Sequence, residues 1–259
     1  MPPAIPTVSL TPWDYAANKA DASGSVAQQA TAIKENRTKT TLVVDAGDTI
    51  QANSAELFLN DDVHPMIAAQ NAIGYDVYVT GNHEYNYGMA TLEKVLSQQK
   101  AKVLTGNVYS PEGKPLADGY TIINKGGVKI GVIGMGHSQH HPLGRQEPRG
   151  LDWSPTRWTR AARSLIRSRT MWMSSSALCI WMLIMSTASM APASPTWQMP
   201  APSSMLSSRS RPQEHPRTRS INGVLVVENK NAGATVSDIH VYLERGLNGK
   251  WKVKDRTSE

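Results

Sequence analysis

The stretch TLVVDAGDT, residues 41–49, decides the fold of this chain. A run of apolar and β-branched residues stops there at an Asp-Ala-Gly-Asp turn, which is the pattern of a buried strand that ends tightly. The stretch DVYVTGNHE, residues 76–84, repeats this arrangement. Between the two, residues 64–73 carry a helical pattern that ends at Gly74, a residue favoured just after a helix. Strand, helix and strand in this order predict a layered α/β domain.

The residues on either side continue the α/β pattern. The other predicted elements are helices over 24–35 and 89–99, a strand over 102–104, a hairpin of strands 120–123 and 128–133, and late strands over 223–228 and 237–243. With 259 residues the chain can bury a core of ordinary size. Its one cysteine, Cys179, excludes an internal disulfide framework.

The residues with candidate chemistry stand at the two strand ends. Asp48 follows the first strand, and Asn82 and His83 follow the second, about 35 residues later. Ligands of α/β domains collect at the carboxyl ends of strands, and a carboxylate, an amide oxygen and an imidazole gathered there suit a site for two divalent metal ions. The alternative is that Asp48 caps a helix and His83 is an ordinary loop histidine. The two motifs together, on successive strands, favour the metal site.

Both motifs resemble those of a known enzyme family. Residues 44–49, VDAGDT, and 81–88, GNHEYNYG, look like the second and third motifs of the calcineurin-like metallophosphoesterases. They are most similar to those of the 5′-nucleotidase and 2′,3′-cyclic-nucleotide 2′-phosphodiesterase/3′-nucleotidase group. Further matching stretches are 64–69, 74–77, 106–108 and 221–240, so that the resemblance covers roughly 12–135 and 220–259. It implies one catalytic domain over residues 1–259, built as a sandwich of two β-sheets flanked by helices.

The resemblance also implies an activity and roles for single residues. The activity is hydrolysis of nucleotide phosphate esters with two divalent metal ions, which can be Mn, Mg, Zn or Fe. Asp48 would bridge both metals and Asn82 would bind the second one. His83 would be the catalytic residue, stabilising the transition state or protonating the leaving oxygen, and Glu84 would buttress the loop. The continuation Asn86-Tyr87-Gly88 favours the cyclic phosphodiesterase/3′-nucleotidase branch.

Relatives of this kind carry a second, C-terminal domain whose aromatic residues grip the base. We expect this second domain to be absent from residues 1–259, so the sequence assigns no residue to substrate binding. The resemblance implies export to the periplasm, the cell wall or the exterior, although the first residues carry no signal peptide. The longest apolar run, Leu178 to Met185, is about a third to a half of the length that a membrane span needs. The sequence does not predict an oligomeric state or the identity of the metals.

Three motifs of the family are absent as the sequence stands. They are an Asp-x-His near the first strand, a middle His, and a His-x-His near the end of the domain. Residues 2–7, PPAIPT, occupy the first position, and Gln213-Glu214-His215 stands near the last. His215 would be the final metal ligand, whereas Gln213 lies where the family has histidine.

The composition of residues 136–220 points to a shifted reading frame. This segment holds eleven Arg, no Lys and three acidic residues, and it has no Val. Codons that encode residues 1–8 can be read in another frame as ATGDTHG, which contains Asp-x-His, and those for 179–182 allow HMD, which supplies the middle His. We interpret 136–220 as frameshifted and expect it to be irregular. The chain would then be a catalytically inactive fragment of the enzyme, which is the first alternative.

A second alternative is a basic protein that binds nucleic acid. The net charge is +6, and residues 157–169 are rich in Arg with Trp158 and Trp172 close by. All of the excess positive charge lies in the aberrant segment, because the rest of the chain has sixteen basic and eighteen acidic residues. A shifted frame explains this distribution better, so nucleic-acid binding is disfavoured.

Overall fold

A computed structural model describes much of the chain. The described residues are 8–14, 17–21, 24–51, 54–110, 112–136, 179–186, 205–210, 217–221, 224–230, 232–247 and 251–259. His215 and the positions before residue 8, where two of the absent motifs belong, lie outside them.

Helices occupy the first half of the described chain, and strands extend along its whole length. The helices are α1 (Val26–Asn36), α2 (Pro65–Ile73) and α3 (Met89–Ser97), with short 3-10 helices at Ser54–Phe58 and His83–Tyr87. The strands are β1 (Trp13–Asp14), β2 (Lys19–Ala20), β3 (Val44–Asp45), β4 (Val77–Val79), β5 (Lys102–Leu104), β6 (Tyr120–Lys125), β7 (Val128–Met135), β8 (Cys179–Ser186), β9 (Met205–Ser210), β10 (Arg217–Ile221), β11 (Val224–Asn229), β12 (Ile239–Arg245) and β13 (Trp251–Ser258).

Two larger sheets organise the molecule. Strands β3, β4 and β5 form a parallel sheet in that order, with Val44 opposite Val77. The second sheet has the order β10-β11-β9-β8-β7-β6. Its inner pairs β7–β8, β8–β9 and β9–β11 are parallel, and its outer pairs are antiparallel. Strands β12 and β13 form a separate hairpin, and so do β1 and β2.

The two larger sheets pack face to face. Val77, Val79 and Leu104 of the smaller sheet share one buried cluster with side chains of the larger sheet, namely Val132, Leu225 and Val227. The approach is close at Gly134, where a Cβ atom would lie 2.3 Å from the Cβ of Leu104. This arrangement agrees with the expected sandwich.

The helices begin and end where the sequence indicates. The Ser25 hydroxyl caps α1 by accepting a hydrogen bond from the Gln28 amide at 3.2 Å. Proline opens α2, and Gly74 closes it in the left-handed conformation with φ +79°. Each predicted helix and strand outside residues 136–220 is present, with ends that differ by a few residues.

The expectation of irregular structure over residues 136–220 is wrong for part of that segment. Strands β8, β9 and β10 lie within it, and β8 occupies the middle of the larger sheet with parallel neighbours on both sides. Its sequence CIWMLIMS, residues 179–186, is an almost continuous apolar run without alternation, a pattern typical of strands in parallel sheets. A search for a period of two therefore does not detect it. None of the helices in the described part of the chain is long and apolar enough to span a membrane.

The packing between the sheets predicts a large effect of Leu104→Ala. The side chain is fully buried between both sheets, so its truncation leaves a cavity and lowers the free energy of unfolding by about 2–5 kcal/mol. Urea unfolding followed by circular dichroism measures the loss. Leu57→Ala is the matched control, because Leu57 is 82% exposed and its truncation changes stability by only about 0.5 kcal/mol or less. Equal effects of the two changes would contradict the sandwich core.

Candidate functional site

The parallel pairing of β3 and β4 brings the two predicted motifs to the same sheet edge. Asp45 lies opposite Tyr78, so the turn after β3 and the loop after β4 leave the sheet side by side. The turn is tight, with φ of +87° at Gly47 and +62° at Asp48. A positive φ is unusual for a residue other than glycine, and it persists only where the surroundings hold it.

Two glycines allow the turn and the loop to touch. A Cβ atom on Gly47 would lie 2.0 Å from the amide nitrogen of Gly81, and a Cβ on Gly81 would lie 2.0 Å from Oδ1 of Asp48. Both positions therefore require glycine. The Asp48 carboxylate is then close enough for its Oδ1 to accept a hydrogen bond from the His83 amide at 3.0 Å.

The Glu84 carboxylate is hydrogen-bonded to both the turn after β3 and the loop after β4. One of its oxygens accepts hydrogen bonds from the amides of Asp48 at 2.8 Å and Gly81 at 2.6 Å, and the other accepts one from Thr49 at 2.6 Å. Glu84 is fully buried. Hydrogen bonds from backbone N–H groups to a charged carboxylate are strong ones. The predicted buttressing role of Glu84 is confirmed.

The side-chain oxygen of Asn82, Oδ1, is the atom of the site that most clearly indicates a bound ligand. The residue is buried, and its Oδ1 atom has no hydrogen-bond partner among the residues that the structure describes. A buried polar atom without a partner costs free energy, so such an atom indicates a ligand. It lies on the loop that contacts Asp48. A carboxylate and an amide oxygen are suitable ligands for a hard divalent cation.

His83 is buried at the start of the short 3-10 helix that follows Asn82. Its Nδ1 atom lies 3.1 Å from the side-chain amide nitrogen of Asn86. The same helix is anchored at Tyr85, whose hydroxyl is 2.9 Å from Oγ1 of Thr80, and at Tyr87, which donates to Glu56. These contacts hold the imidazole beside Asn82.

The site brings three carboxyl groups, those of Asp45, Asp48 and Glu84, close together. Burial and the nearby Glu84 carboxylate raise the pKa of Asp45 from 3.8 to about 7. The same two causes, burial first, raise the pKa of Asp48 well above its usual range. A bound cation would offset the mutual repulsion of these carboxylates, so the charges also fit a metal.

The described residues provide only a part of a metal shell. Asp48 and Asn82 fit as ligands, but no group of three or more His, Cys, Asp or Glu side chains in the described part of the chain could hold a metal ion. The third predicted ligand, His215, lies outside the described residues. Of the predicted site residues, the structure brings Asp48, Asn82 and His83 together and does not describe His215.

Sequence reasoning missed three supporting residues. Asp45, Thr49 and Gln70 form a buried hydrogen-bonded group behind the turn, in which the Gln70 amide is 3.0 Å from Asp45 and 3.3 Å from Thr49. The available signal was Gln70 itself, a polar residue in the sequence PMIAAQNAI of α2, where its neighbours are mostly apolar.

Comparison with known proteins gives relatives over about half of the chain. The trifunctional nucleotide phosphoesterase protein YfkN of Bacillus subtilis is 32% identical over 148 residues, which is 49% of this chain and 10% of that protein. The 2′,3′-cyclic-nucleotide 2′-phosphodiesterase/3′-nucleotidase of Yersinia enterocolitica is 30% identical over 149 residues, 51% of this chain and 23% of that protein. The chain thus spans a tenth to a quarter of the length of these relatives. No family model matches the chain.

Solved structures show the same fold. The calcineurin-like phosphoesterase YfkN from Bacillus subtilis matches with a TM-score of 0.79 and 22% identity, over 98% of this chain and 86% of that one. A putative 5′-nucleotidase from Staphylococcus aureus matches with a TM-score of 0.70 and 16% identity, over 97% and 52%. The fold is that of the calcineurin-like phosphoesterases. The relatives and structural neighbours are calcineurin-like phosphoesterases of the 5′-nucleotidase and 2′,3′-cyclic phosphodiesterase group, which confirms the predicted resemblance over about half of the chain.

The role of Glu84 predicts that Glu84→Gln destabilises the chain. An amide offers a single acceptor oxygen and turns an NH₂ group toward backbone donors, so at least one N–H group loses its partner. The free energy of unfolding should fall by about 2–4 kcal/mol in urea unfolding. Glu93→Gln, at an exposed position of α3, is the control and should have almost no effect. A Glu84 variant as stable as this control would refute the buttress.

The raised pKa of Asp45 predicts how the metal-free chain responds to pH. The folded chain keeps a proton on Asp45 that the unfolded chain releases near pH 3.8, so folding is favoured at low pH and this contribution is lost as the pH rises to about 7. In EDTA, the Tm should fall by on the order of 5 °C between pH 4 and pH 7. Differential scanning calorimetry at each pH measures this fall in Tm.

Asp45→Asn is the control for this pH dependence. The amide cannot titrate, yet its oxygen can still accept the Gly47 N–H. The variant should show a smaller fall in Tm over the same range. A fall of the same size in both proteins would mean that Asp45 is not the group responsible.

Proposed function

We propose that the chain carries the Asp48–Asn82–His83 part of a metal-dependent hydrolase of nucleotide phosphate esters. The observation that carries this proposal is the buried, unpartnered Oδ1 atom of Asn82, on a loop that is hydrogen-bonded to the Asp48 carboxylate. The names of the relatives support the same activity, since they include a nucleotide phosphoesterase and a 3′-nucleotidase.

Asp48 and Asn82 would hold a divalent cation through their oxygen atoms. Mn, Mg, Zn and Fe all accept such ligands, and the family uses two metals. When bound, the cations polarise a phosphoryl oxygen and make a water molecule nucleophilic at neutral pH. Asp48 is fixed for this task by the His83 amide, and the Glu84 carboxylate keeps the two loops together.

His83 is suited to donate a proton or a hydrogen bond to the substrate. The Asn86 side-chain NH₂ group can only donate, so Nδ1 of His83 accepts and the proton of the neutral ring lies on Nε2. The Nε2–H group of this tautomer can donate a hydrogen bond that stabilises charge on a phosphate oxygen, whereas protonating the leaving oxygen requires the imidazolium form, in which Nδ1 no longer accepts from Asn86. Asn86 thereby sets the state in which the imidazole acts.

The proposed substrates are 5′-nucleotides, 3′-nucleotides and 2′,3′-cyclic nucleotides. The motif at residues 81–88 favours the last two, and the Yersinia enterocolitica relative carries both activities in its name. The proposed compartment is the periplasm, the cell wall or the exterior, as the resemblance implies. No described residue is assigned to recognition of the base.

A hydrolysis assay tests the proposed function. The purified chain is incubated with Mn²⁺ and each of the three nucleotide classes, with EDTA and the His83→Ala variant as controls. Released phosphate is measured for the 5′- and 3′-nucleotides, and the ring-opened nucleotide is separated by chromatography for the 2′,3′-cyclic nucleotides, because opening the cyclic diester releases no phosphate. The proposal predicts metal-dependent turnover that falls by about a hundredfold or more in the variant, as expected for loss of a catalytic acid. Turnover that is equal in the variant, or that survives EDTA, would show that this site does not perform the reaction.

The second candidate is that the chain is catalytically inactive. The observation that favours it is the incomplete shell, because the described residues supply two oxygen ligands and no cluster of three metal-binding side chains. A missing ligand weakens metal binding strongly. This candidate predicts no turnover above the His83→Ala variant in the same assay.

The frameshift hypothesis has a separate test in the gene. Sequencing codons 1–12 and 136–220 should show, in another frame, an Asp-x-His near the start and a middle His near codon 179. Nucleotides that encode neither motif in any frame would refute the hypothesis. The result does not depend on whether the chain folds or binds a metal.

A further inference from the structure

Gln70 is a buried polar residue that links two helices to the turn after β3. It is only 3% exposed. Its Nε2 atom donates to Oδ2 of Asp45 at 3.0 Å and to Oγ1 of Thr49 at 3.3 Å. Its Oε1 atom accepts a hydrogen bond of 2.6 Å from Nε2 of Gln99, which follows α3. A buried amide with both ends bonded is held in one orientation, which lets it fix its partners.

Asp45 passes this constraint on to the turn. While its Oδ2 atom accepts from Gln70, its Oδ1 atom accepts a hydrogen bond of 2.7 Å from the Gly47 amide. This bond closes the turn in which Gly47 and Asp48 both have positive φ. The left-handed conformation costs a residue such as Asp48 roughly 1–2 kcal/mol, so the turn needs contacts that hold it.

We infer that Gln70 is a positioning residue of the metal site. By fixing the Asp45 carboxylate, it holds the Asp45–Asp48 turn in the conformation that places the Asp48 carboxylate against the loop after β4. Gln70 acts on the turn through Asp45. It belongs to α2, whereas Glu84, which also binds the turn, follows β4. The part of this inference that concerns metal affinity rests on the proposed function.

A reversal of hydrogen-bond polarity tests the role of Gln70. Gln70→Glu removes the donor and puts a second carboxylate against Asp45. The double variant Gln70→Glu with Asp45→Asn restores the bond with donor and acceptor exchanged, because the new amide donates to the new carboxylate and its oxygen still accepts the Gly47 N–H. Gln70→Met removes the donor without adding charge, and replaces Gln70→Glu if that variant does not fold.

Ile73→Ala is the matched control for a general loss of stability. Ile73 lies on the same helix, packs on the cluster around Val26 and Met66, and its side chain takes part in none of the hydrogen bonds of Gln70. Its truncation should speed amide exchange throughout the core. It should leave the turn amides unchanged relative to those of β4.

Two measurements follow the turn and the site separately. Amide hydrogen exchange at Gly47, Asp48 and Thr49, measured by NMR on the metal-free full-length chain, reports the turn. Isothermal titration with Mn²⁺ alone reports the site. Relative to the β4 amides, exchange at the turn should be about tenfold faster in Gln70→Glu or Gln70→Met, with Mn²⁺ binding about tenfold weaker. The double variant should return to within about threefold of the unaltered chain in both.

The outcomes distinguish this inference from the proposed function. Turn amides as well protected in the Gln70 variants as in Ile73→Ala, or a double variant no better than Gln70→Glu, would overturn the positioning role. If the unaltered chain binds no Mn²⁺, the proposed metal site fails. The exchange data still decide whether Gln70 holds the turn.

Discussion

The structure of the site depends on one buried carboxylate that accepts three backbone N–H groups. Glu84 binds the amides of Asp48 and Thr49 in one loop and that of Gly81 in the other. Because these loops follow neighbouring parallel strands, a single side chain fixes the distance between them at the edge of the sheet. The glycines at 47 and 81 let the backbones meet, and Asn82 and His83 then emerge beside Asp48. Burying the charge is tolerated because backbone donors solvate it.

The sequence predicted the helix and strand ends, which depend on residues that are neighbours along the chain. Gly74 ends α2 and the β-branched runs end at Asp45 and Val79, because capping residues and apolar periods act over a few residues. The bond between Gln70 and Asp45 joins residues 25 positions apart, and no local pattern announces it. Strand β8 was missed because its apolar run has no polar–apolar alternation, and such a run cannot be assigned to a strand from its period alone.

The resemblance and the geometry both support the interpretation of these two loops as a phosphoesterase site. The motifs at 44–49 and 81–88 coincide with the two loops that Glu84 joins, and the relatives, which match about half of the chain, are nucleotide phosphoesterases. In the proposed metal centre, the described residues would supply one side. The hydrogen bonds behind it, through Gln70 and Glu84, keep that side in position and explain why Asp48 tolerates a positive φ. Under this proposal, activity would require metal ligands beyond this side.

Anomalous scattering from a crystal soaked in Mn²⁺ tests the central claim most directly. The account predicts a peak bonded to the Asp48 carboxylate and to Oδ1 of Asn82, with the hydrogen bond between the His83 amide and Asp48 retained. It also predicts that Asn82→Ala removes or weakens this peak. A crystal without a peak at this sheet edge, or with Mn²⁺ bound only elsewhere, would contradict the assignment of these loops as a metal site.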